Sequence, residues 1–217
     1  MSVEIKIPDI QGVTLHTKNK YVADDINISI TIPQYQYETD RELEFEIDNF
    51  LQGTITKYSN HRITELKTYG FTSSQITELD LPNLKKIISY GIMTTSIEKL
   101  HLPSIEYIGS NGIYQNSKLK EARFDNCSMF GSGAIRGSVV LVKLIMGYTE
   151  KPCVVQASNA FAECYHLSGT VHATHNPEGL QDGLIYVPDH LVEDYKVATN
   201  WSTFADQIRP MSELEEE

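Results

Sequence analysis

The chain has 217 residues, of which 41% are hydrophobic and 22% are charged, as in ordinary soluble globular proteins. This composition excludes disorder throughout, because disordered chains carry too few apolar side chains to bury. With 29 acidic against 18 basic residues, the net charge is -11. Such a field repels phosphate backbones and anionic lipid headgroups, so we expect neither nucleic acid nor a membrane as a partner.

The opening sequence, MSVEIKIPDIQGV, lacks the charged and apolar regions of a signal peptide, and no apolar run is long enough to span a membrane. Alternating apolar residues predict that residues 1–52 are a small β-rich segment, with the acidic stretch 36–50 as a connector. The alternating residues are Val3, Ile5 and Ile7, and then Ile26, Ile28, Ile30 and Ile32.

Residues 76–146 contain a repeat of 21 to 22 residues. Successive units read ITELDLPNLKKIISYGIMTTS, IEKLHLPSIEYIGSNGIYQNSK and LKEARFDNCSMFGSGAIRGSVV, and LVKLIM opens a fourth. A unit this short cannot bury its own apolar side chains, so the pattern predicts a repeat solenoid over residues 53–187. The apolar columns are Ile76, Ile97, Leu119, Leu141; Leu79, Leu100, Ala122, Leu144; Leu81, Leu102, Phe124, Met146; Leu84, Ile105, Cys127; Ile87, Ile108, Phe130; and Phe71, Ile92, Ile113, Ile135.

Within each unit, the L-x-L core alternates at period two and predicts a short strand of a narrow parallel sheet. Pro82 and Pro103 follow two of these strands. The second half of each unit has irregular apolar spacing around a glycine, which predicts a turn or a short 3₁₀ segment.

Residues 188–217 are predicted to be a helical cap with an acidic tail, following a last strand from Leu184 to Val187. A solenoid needs such a cap to cover its terminal core and strand edges. Asp189 is expected to cap the first helix, and SELEEE is expected to be a solvated tail. In the first helix one face is predicted to carry Leu191, Tyr195 and Ala198, and a second turn that follows it is predicted to carry Trp201, Phe204 and Ile208.

Candidate chemistry in the sequence is weak. Cysteine and histidine are zinc ligands, but the cluster Cys164, His166, His172 and His175 lacks a second paired motif, and the repeat register explains Cys164 as a core residue. The stretch GSGAIRG, residues 131–137, lacks the Lys-Ser/Thr of a phosphate loop and is better explained as the turn before Ile135. No catalytic signature occurs, so we expect a non-enzymatic protein without a cofactor or a metal.

The outward positions of the repeat strands are the candidate binding residues. In a solenoid these side chains stand in rows, and opposite charges adjoin along them. Two interpretations stay open: the charges pair across the strands and only maintain solubility, or they contact a ligand. Tyr90, Tyr107 and Tyr114 are a rival contact patch or half-buried packing. The candidate residues, here named the outward ladder, are Glu78, Asp80, Lys99, His101, Glu121, Arg123, Lys143 and Ile145.

Residues 63–187 resemble the BspA-type, or Treponema-type, leucine-rich repeat, with its L-x-x-L-x-L-P, I-G-x-x-A-F and x-x-C-x-x-L elements. IGSNGIYQNSKL from Ile108 and SNAFAECYHLSG from Ser158 carry the resemblance best. It implies that Cys164 is a buried structural cysteine. The sequence departs from the family where Ile92, Ile113 and Ile135 replace the usual Phe, and where residues 147–157 lengthen one connection.

The segments GVTLHTKNKYVADDINISITIP and FLQGTITKYSNHRITELKTYGF resemble sequences that precede such repeats in tail or other structural proteins of phages and prophages of Gram-positive bacteria. The resemblance implies a phage structural or accessory protein, in the virion or the host cytoplasm, whose repeats bind a protein or a cell-surface glycan, other virion subunits or itself. Two alternatives stay open. One is a bacterial surface adhesin, and the other is an acidic intracellular inhibitor of a host protein.

Overall fold

A computed structural model describes residues 56–72 and 75–215 of the chain. All of them belong to one compact unit, Arg41–Glu217. The β-rich segment predicted over residues 1–52 lies outside the described residues, and it stays a prediction. Within the described residues, no helix has the length and apolar character needed to cross a membrane.

Short strands dominate the described part of the chain, and helices are few and short. The helices are α1 Tyr165–Ser168, α2 Val192–Val197 and the 3₁₀ helices η1 Asp189–Leu191, η2 Ser202–Gln207 and η3 Met211–Glu213. The strands are β1 Lys57–Ser59, β2 Glu65–Leu66, β3 Phe71–Thr72, β4 Glu78–Asp80, β5 Lys86–Ser89, β6 Ile92–Met93, β7 Lys99–His101, β8 Tyr107–Ser110, β9 Ile113–Tyr114, β10 Glu121–Phe124, β11 Met129–Phe130, β12 Ile135–Arg136, β13 Lys143–Met146, β14 Val154–Val155, β15 Leu184–Val187 and β16 Ile208–Pro210.

These strands pair in parallel between successive repeats. In the described residues, the first sheet has the order β16-β15-β13-β10-β7, the second has β14-β11-β8-β5-β2, the third has β12-β9-β6-β3, and β1 pairs with β4. The L-x-L strands and the last strand from Leu184 to Val187 are therefore confirmed. A repeat such as 99–114 contributes one strand to each of the three sheets, β7, β8 and β9.

The prediction of a turn or 3₁₀ segment in the second half of each repeat is wrong for most of that half, which forms the strands of the second and third sheets. The apolar spacing is irregular because a sharp turn separates two short strands. This turn places a residue with positive φ at the same position of four repeats, namely Tyr69, Tyr90, Asn111 and Gly133. Only the fourth uses glycine, the residue that adopts this conformation most readily.

The core lies between the sheets, and all six predicted apolar columns are buried in it. The three cysteines are buried free thiols, as was predicted for the core positions of Cys127 and Cys164. The sequence reading missed a buried polar column that follows the Ile92 column by three residues, formed by Thr95, Asn116 and Ser138. The Asn116 side chain accepts hydrogen bonds from the Thr95 backbone N–H and hydroxyl, both at 2.8 Å, and donates to the Ile92 carbonyl at 2.9 Å.

The closing region, residues 188–215, is helical only in part. Leu191, Tyr195, Trp201 and Phe204 are buried as predicted, but Ile208 begins strand β16 instead of continuing a helical turn. The prediction that Asp189 caps a helix is also wrong. Its carboxylate accepts a hydrogen bond from the backbone N–H of Ser212 at 3.0 Å, 23 residues later in the chain. Asp189 therefore ties the end of the closing region to the start.

Candidate binding face on the first sheet

The outward ladder lies on the strands β4, β7, β10 and β13, two residues from each. Backbone pairing sets Lys99, Glu121 and Lys143 side by side in one row. His101, Arg123 and Ile145 form the second row. Because the strands are held in register by backbone hydrogen bonds, the spacing of these side chains is fixed by the sheet. Glu78 and Asp80 occupy the equivalent positions of β4 and are exposed.

Charges alternate along the first row. Cation and anion take turns in Lys99, Glu121 and Lys143. The separate pair of strands β1 and β4 repeats this pairing of opposite charges, since the Lys57 ammonium lies 2.5 Å from the Glu78 carboxylate. The Lys143 ammonium lies 3.3 Å from the Glu121 carboxylate. Opposite charges on neighbouring strands attract, so this row is electrostatically self-complementary. The first row is Lys99, Glu121 and Lys143, and the pair on the separate sheet is Lys57 and Glu78.

The second row contains a hydrogen-bonded cluster that the sequence reading missed. The Asp125 carboxylate lies 2.6 Å from Nε2 of His101 and accepts a hydrogen bond from Nε of Arg123 at 2.8 Å. Partial burial would raise the pKa of Asp125, but these hydrogen bonds and the neighbouring positive charges outweigh burial and lower it. The available signal was the position of Asp125 in the repeat, since two other units have Pro82 and Pro103 there.

In the described residues around Asp80, no serine is hydrogen-bonded to a histidine. Asp80 accepts a hydrogen bond from the Ser59 hydroxyl at 2.7 Å, and its carboxylate is 3.4 Å from Nε2 of His61. The carboxylate therefore stands between the serine and the histidine, whereas activation of a serine needs the histidine in the middle. Burial raises the pKa of the Cys164 thiol to about 12, so this cysteine is protonated near neutral pH.

The histidines near Cys164 do not converge on a common point. Both ring nitrogens of His166 are engaged, Nδ1 at 2.6 Å from the Asp182 carboxylate and Nε2 at 3.1 Å from the His175 carbonyl. The rings of His172 and His175 stack, with centroids 5.0 Å apart, and the Cys164 thiol donates to the Ile135 carbonyl at 3.1 Å. Across the described ranges, no group of three or more His, Cys, Asp or Glu side chains could hold a metal ion.

The rival tyrosine patch is divided. Tyr107 lies on β8 in the second sheet, Tyr114 lies on β9 in the third sheet, and Tyr90 lies between strands β5 and β6. Tyr90 packs against Tyr114 edge to face at 5.3 Å and stacks on Tyr69 at 5.4 Å. Their rings are used in packing between repeats, as one of the two interpretations expected. The GSGAIRG stretch forms a turn, with Gly133 at φ 62° before strand β12.

Ile145 differs from the rest of the outward ladder. The other predicted residues are exposed or half-buried, but Ile145 has only 2% of its surface exposed. A groove of about 260 Å³ lies above it, and two residues from the end of the described chain, Leu214 and Glu215, line that groove together with ladder residues. The predicted tail is therefore not wholly solvated, since Leu214 is half-buried. Nothing in the sequence pattern indicates this contact. The ladder residues that line the groove are Lys99, Glu121, Arg123, Lys143 and Ile145.

Comparison with known proteins found no match. No protein-family model matches the chain, and no curated protein matches it.

Proposed function

We propose that the chain is a BspA-type leucine-rich-repeat solenoid whose outward ladder binds a partner protein. The fold part is supported by the repeat of 21 to 22 residues, whose six columns are buried and whose strands pair in parallel with those of the next unit. Repeats that contact only their neighbours are the defining property of solenoids. Proteins of this architecture use their extended, regular surfaces for binding.

One observation carries the binding proposal: the first sheet holds two rows of side chains at fixed spacing, all of them charged or polar except the buried Ile145. Rows of both signs favour a protein partner over a glycan, because a protein surface can supply the complementary charges. The ladder also argues against the alternative of an acidic inhibitor. Its charges alternate, whereas an inhibitor that relied on the net charge of -11 would gather carboxylates on one surface.

The phage assignment rests on the resemblance of the segments that precede and include the first repeats. In this proposal the protein is a non-enzymatic structural or accessory component of a phage or prophage particle, and its repeats present the outward ladder to a protein on another virion subunit or on the host. A bacterial surface adhesin is the second candidate, because it would use the same ladder in the same way.

Mass spectrometry of purified particles from an induced lysate tests the assignment. We expect stoichiometric recovery of the protein with the particles. Recovery only in the particle-free supernatant would contradict it. The binding proposal is tested by Lys99→Glu, which breaks the charge alternation of the ladder, and we expect this variant to lose partner capture. Its matched control is Lys86→Glu, on β5 in the second sheet. Equal capture by both variants would contradict the use of the ladder.

A further inference from the structure

Two of the three buried cysteines lie next to paired strands of the second sheet. Cys127 comes two residues before strand β11, and Cys153 comes directly before strand β14. The two strands pair in parallel, and the backbone N–H of Val154 donates to the Ser128 carbonyl at 2.9 Å. This hydrogen bond joins the residues that directly follow the two cysteines in the chain.

The register of these strands brings the two cysteines within reach of each other. Met129 is opposite Val154. Continuing this register by one residue sets Cys153 opposite Ser128 and diagonal to Cys127. Neighbouring strands are about 4.8 Å apart and each residue advances a strand by about 3.3 Å, so the diagonal between the two Cα atoms is about 6 Å. Disulfide-bonded cysteines have Cα atoms about 4.4–6.8 Å apart, so the backbone here accommodates a disulfide.

Both side chains are buried in the same hydrophobic core. The Cys127 thiol lies 3.6 Å from the Met129 carbonyl oxygen, and the Cys153 thiol lies 3.9 Å from the Val154 carbonyl oxygen. Each sulfur is therefore close to one member of the same pair of opposite residues. Burial raises the pKa of the Cys153 thiol well above its usual value, and a hydrogen bond with the Cys127 side chain raises it further. The two thiols thus interact directly in the core.

Cys153 is also a point at which the closing region is attached to the repeats. Its backbone N–H donates to the Tyr195 hydroxyl at 3.0 Å, and its carbonyl accepts from Trp201 Nε1 at 2.6 Å. Cys127 belongs to the repeat that begins at Leu119. A bond between the cysteines would connect this repeat covalently to the segment that the closing region holds. It would close a loop of roughly 25 residues, and such a crosslink stabilises the fold by restricting the unfolded chain.

We propose that Cys127 and Cys153 form a disulfide bond when the protein meets a small disulfide such as oxidised glutathione, and that this bond fixes the closing region to the repeats. The inference goes beyond the proposed function and does not rest on it. The cytosol keeps thiols reduced. A protein of a released particle would therefore form the bond only outside the cell.

The reaction is an exchange in two steps. One protein thiolate attacks the small disulfide, which gives a mixed disulfide and releases one small thiol. The other protein thiolate then attacks the protein sulfur of the mixed disulfide, which forms the protein disulfide and releases the second small thiol. Two electrons and two protons pass in total from the cysteines to the small disulfide. Because both sulfurs are buried, the reagent reaches them during folding or when the closing region opens.

The test is refolding of the full-length protein from urea in a mixture of oxidised and reduced glutathione, beside a sample with reduced glutathione alone. Free thiols are then labelled with a maleimide in urea and located by mass spectrometry. All three cysteines should be labelled in the reduced sample. In the oxidised sample only Cys164 should be labelled, and the peptides that contain Cys127 and Cys153 should be joined. Three free thiols after oxidising refolding, or a bond that includes Cys164, would overturn the inference.

Single variants separate this pair from general thiol oxidation. Cys164 is the matched control, because it is equally buried but its thiol donates to the Ile135 carbonyl at 3.1 Å. Cys164→Ala should still form the bond. In Cys153→Ala, the Cys127 thiol should stay free or carry glutathione. If Cys153→Ala does not give the melting curve of a folded protein, Cys127→Ala replaces it. A protein disulfide that persists in these partner variants would overturn the inference.

Thermal unfolding shows whether the bond fixes the closing region. The oxidised protein should melt at least about 5 °C above the reduced protein, and dithiothreitol should reverse this shift. Cys153→Ala should melt at the same temperature after refolding in either buffer. An oxidised protein whose melting temperature equals or falls below that of the reduced protein would overturn the stabilising role of the bond.

Discussion

The repeats and the closing region both bury their apolar side chains, but at the second sheet they satisfy backbone hydrogen-bonding groups differently. Between repeats, backbone groups pair with backbone groups of the next unit, as along Lys86, Tyr107 and Met129 in the second sheet. Strand β14 is at one edge of that sheet. Next to it, side chains of the closing region form the hydrogen bonds to the backbone. Trp201 Nε1 donates to the Cys153 carbonyl at 2.6 Å, and the Tyr195 hydroxyl accepts from the Cys153 N–H at 3.0 Å.

The two regions also differ in the shape of their cores. The repeat columns are mostly leucine and isoleucine, whereas the core beside the closing region is filled by aromatic rings. Trp201 packs against Phe161 at 5.3 Å and against Tyr195 at 5.1 Å. A repeated unit spreads its stability over many equivalent contacts, while the end concentrates stability in a few side chains. Single substitutions should therefore cost most at the end.

The largest effect is expected for Trp201→Ala. Trp201 is fully buried, and its replacement removes the ring contacts and the hydrogen bond to Cys153. We expect the free energy of unfolding to fall by about 3–5 kcal/mol. Urea unfolding followed by far-UV circular dichroism measures this. Trp201→Phe should lose less, and Val197→Ala, at a side chain that is 79% exposed, should change little. A loss as small as that of Val197→Ala would contradict the concentration of stability in the closing region.

A backbone contact inside the repeats gives the next largest effect. A Cβ atom at Gly109 on β8 would lie 2.1 Å from the Ile88 carbonyl oxygen of the neighbouring strand β5. Gly109→Ala must therefore push two paired strands apart, and we expect a loss of about 3 kcal/mol, as for severe overpacking. Ser110→Ala, at the next and exposed position, is the control. If the two variants melt at the same temperature, the close strand packing is not required.

A smaller effect is expected for Tyr195→Phe, which keeps the ring and removes the hydroxyl. The Cys153 N–H on the edge of the second sheet then loses its acceptor. Leaving this buried donor unsatisfied should cost about 1–2 kcal/mol. Tyr107→Phe removes a hydroxyl from the repeats and should have no such cost. Hydrogen exchange at the Cys153 amide gives a second readout, and unchanged protection would count against the capping role of Tyr195.

The sequence predicts the repeats much better than the closing region. Apolar residues such as Ile76 and Ile97 recur because each unit packs the same position against its neighbours. The period of the sequence is therefore enough to identify the core and the L-x-L strands. It does not separate a turn from a pair of strands of four and two residues, so strands β5 and β6 were not predicted. The ladder positions follow from strand alternation. Leu214 could not be predicted, because its contact with the groove joins distant residues and belongs to no period.

The same limit applies to polar residues. Asn116 is buried at the repeat position that Thr95 occupies in the preceding unit. The sequence shows only that one polar residue replaces another there, and the three hydrogen bonds of the Asn116 side chain depend on the three-dimensional structure. Asp125 has no counterpart in the preceding units, which have proline there. The positions of residues that recur in every unit can be predicted from the sequence. The contacts of residues that depart from the repeat, such as Asn116 and Asp125, cannot.

Asp125→Asn changes a residue that departs from the repeat, and we expect it to have the smallest effect on the free energy of unfolding. The folded state lowers the pKa of Asp125 below its usual value of 3.8. Its contribution to stability is therefore present above that value and is lost as pH falls through the folded pKa. We expect the unaltered protein to be more stable than Asp125→Asn near neutral pH, and urea unfolding at decreasing pH should show this difference shrink as the Asp125 carboxylate is protonated. Asp206→Asn, at an exposed carboxylate, is the control. A difference that persists at low pH would show that Asp125 acts through shape and not through its charge.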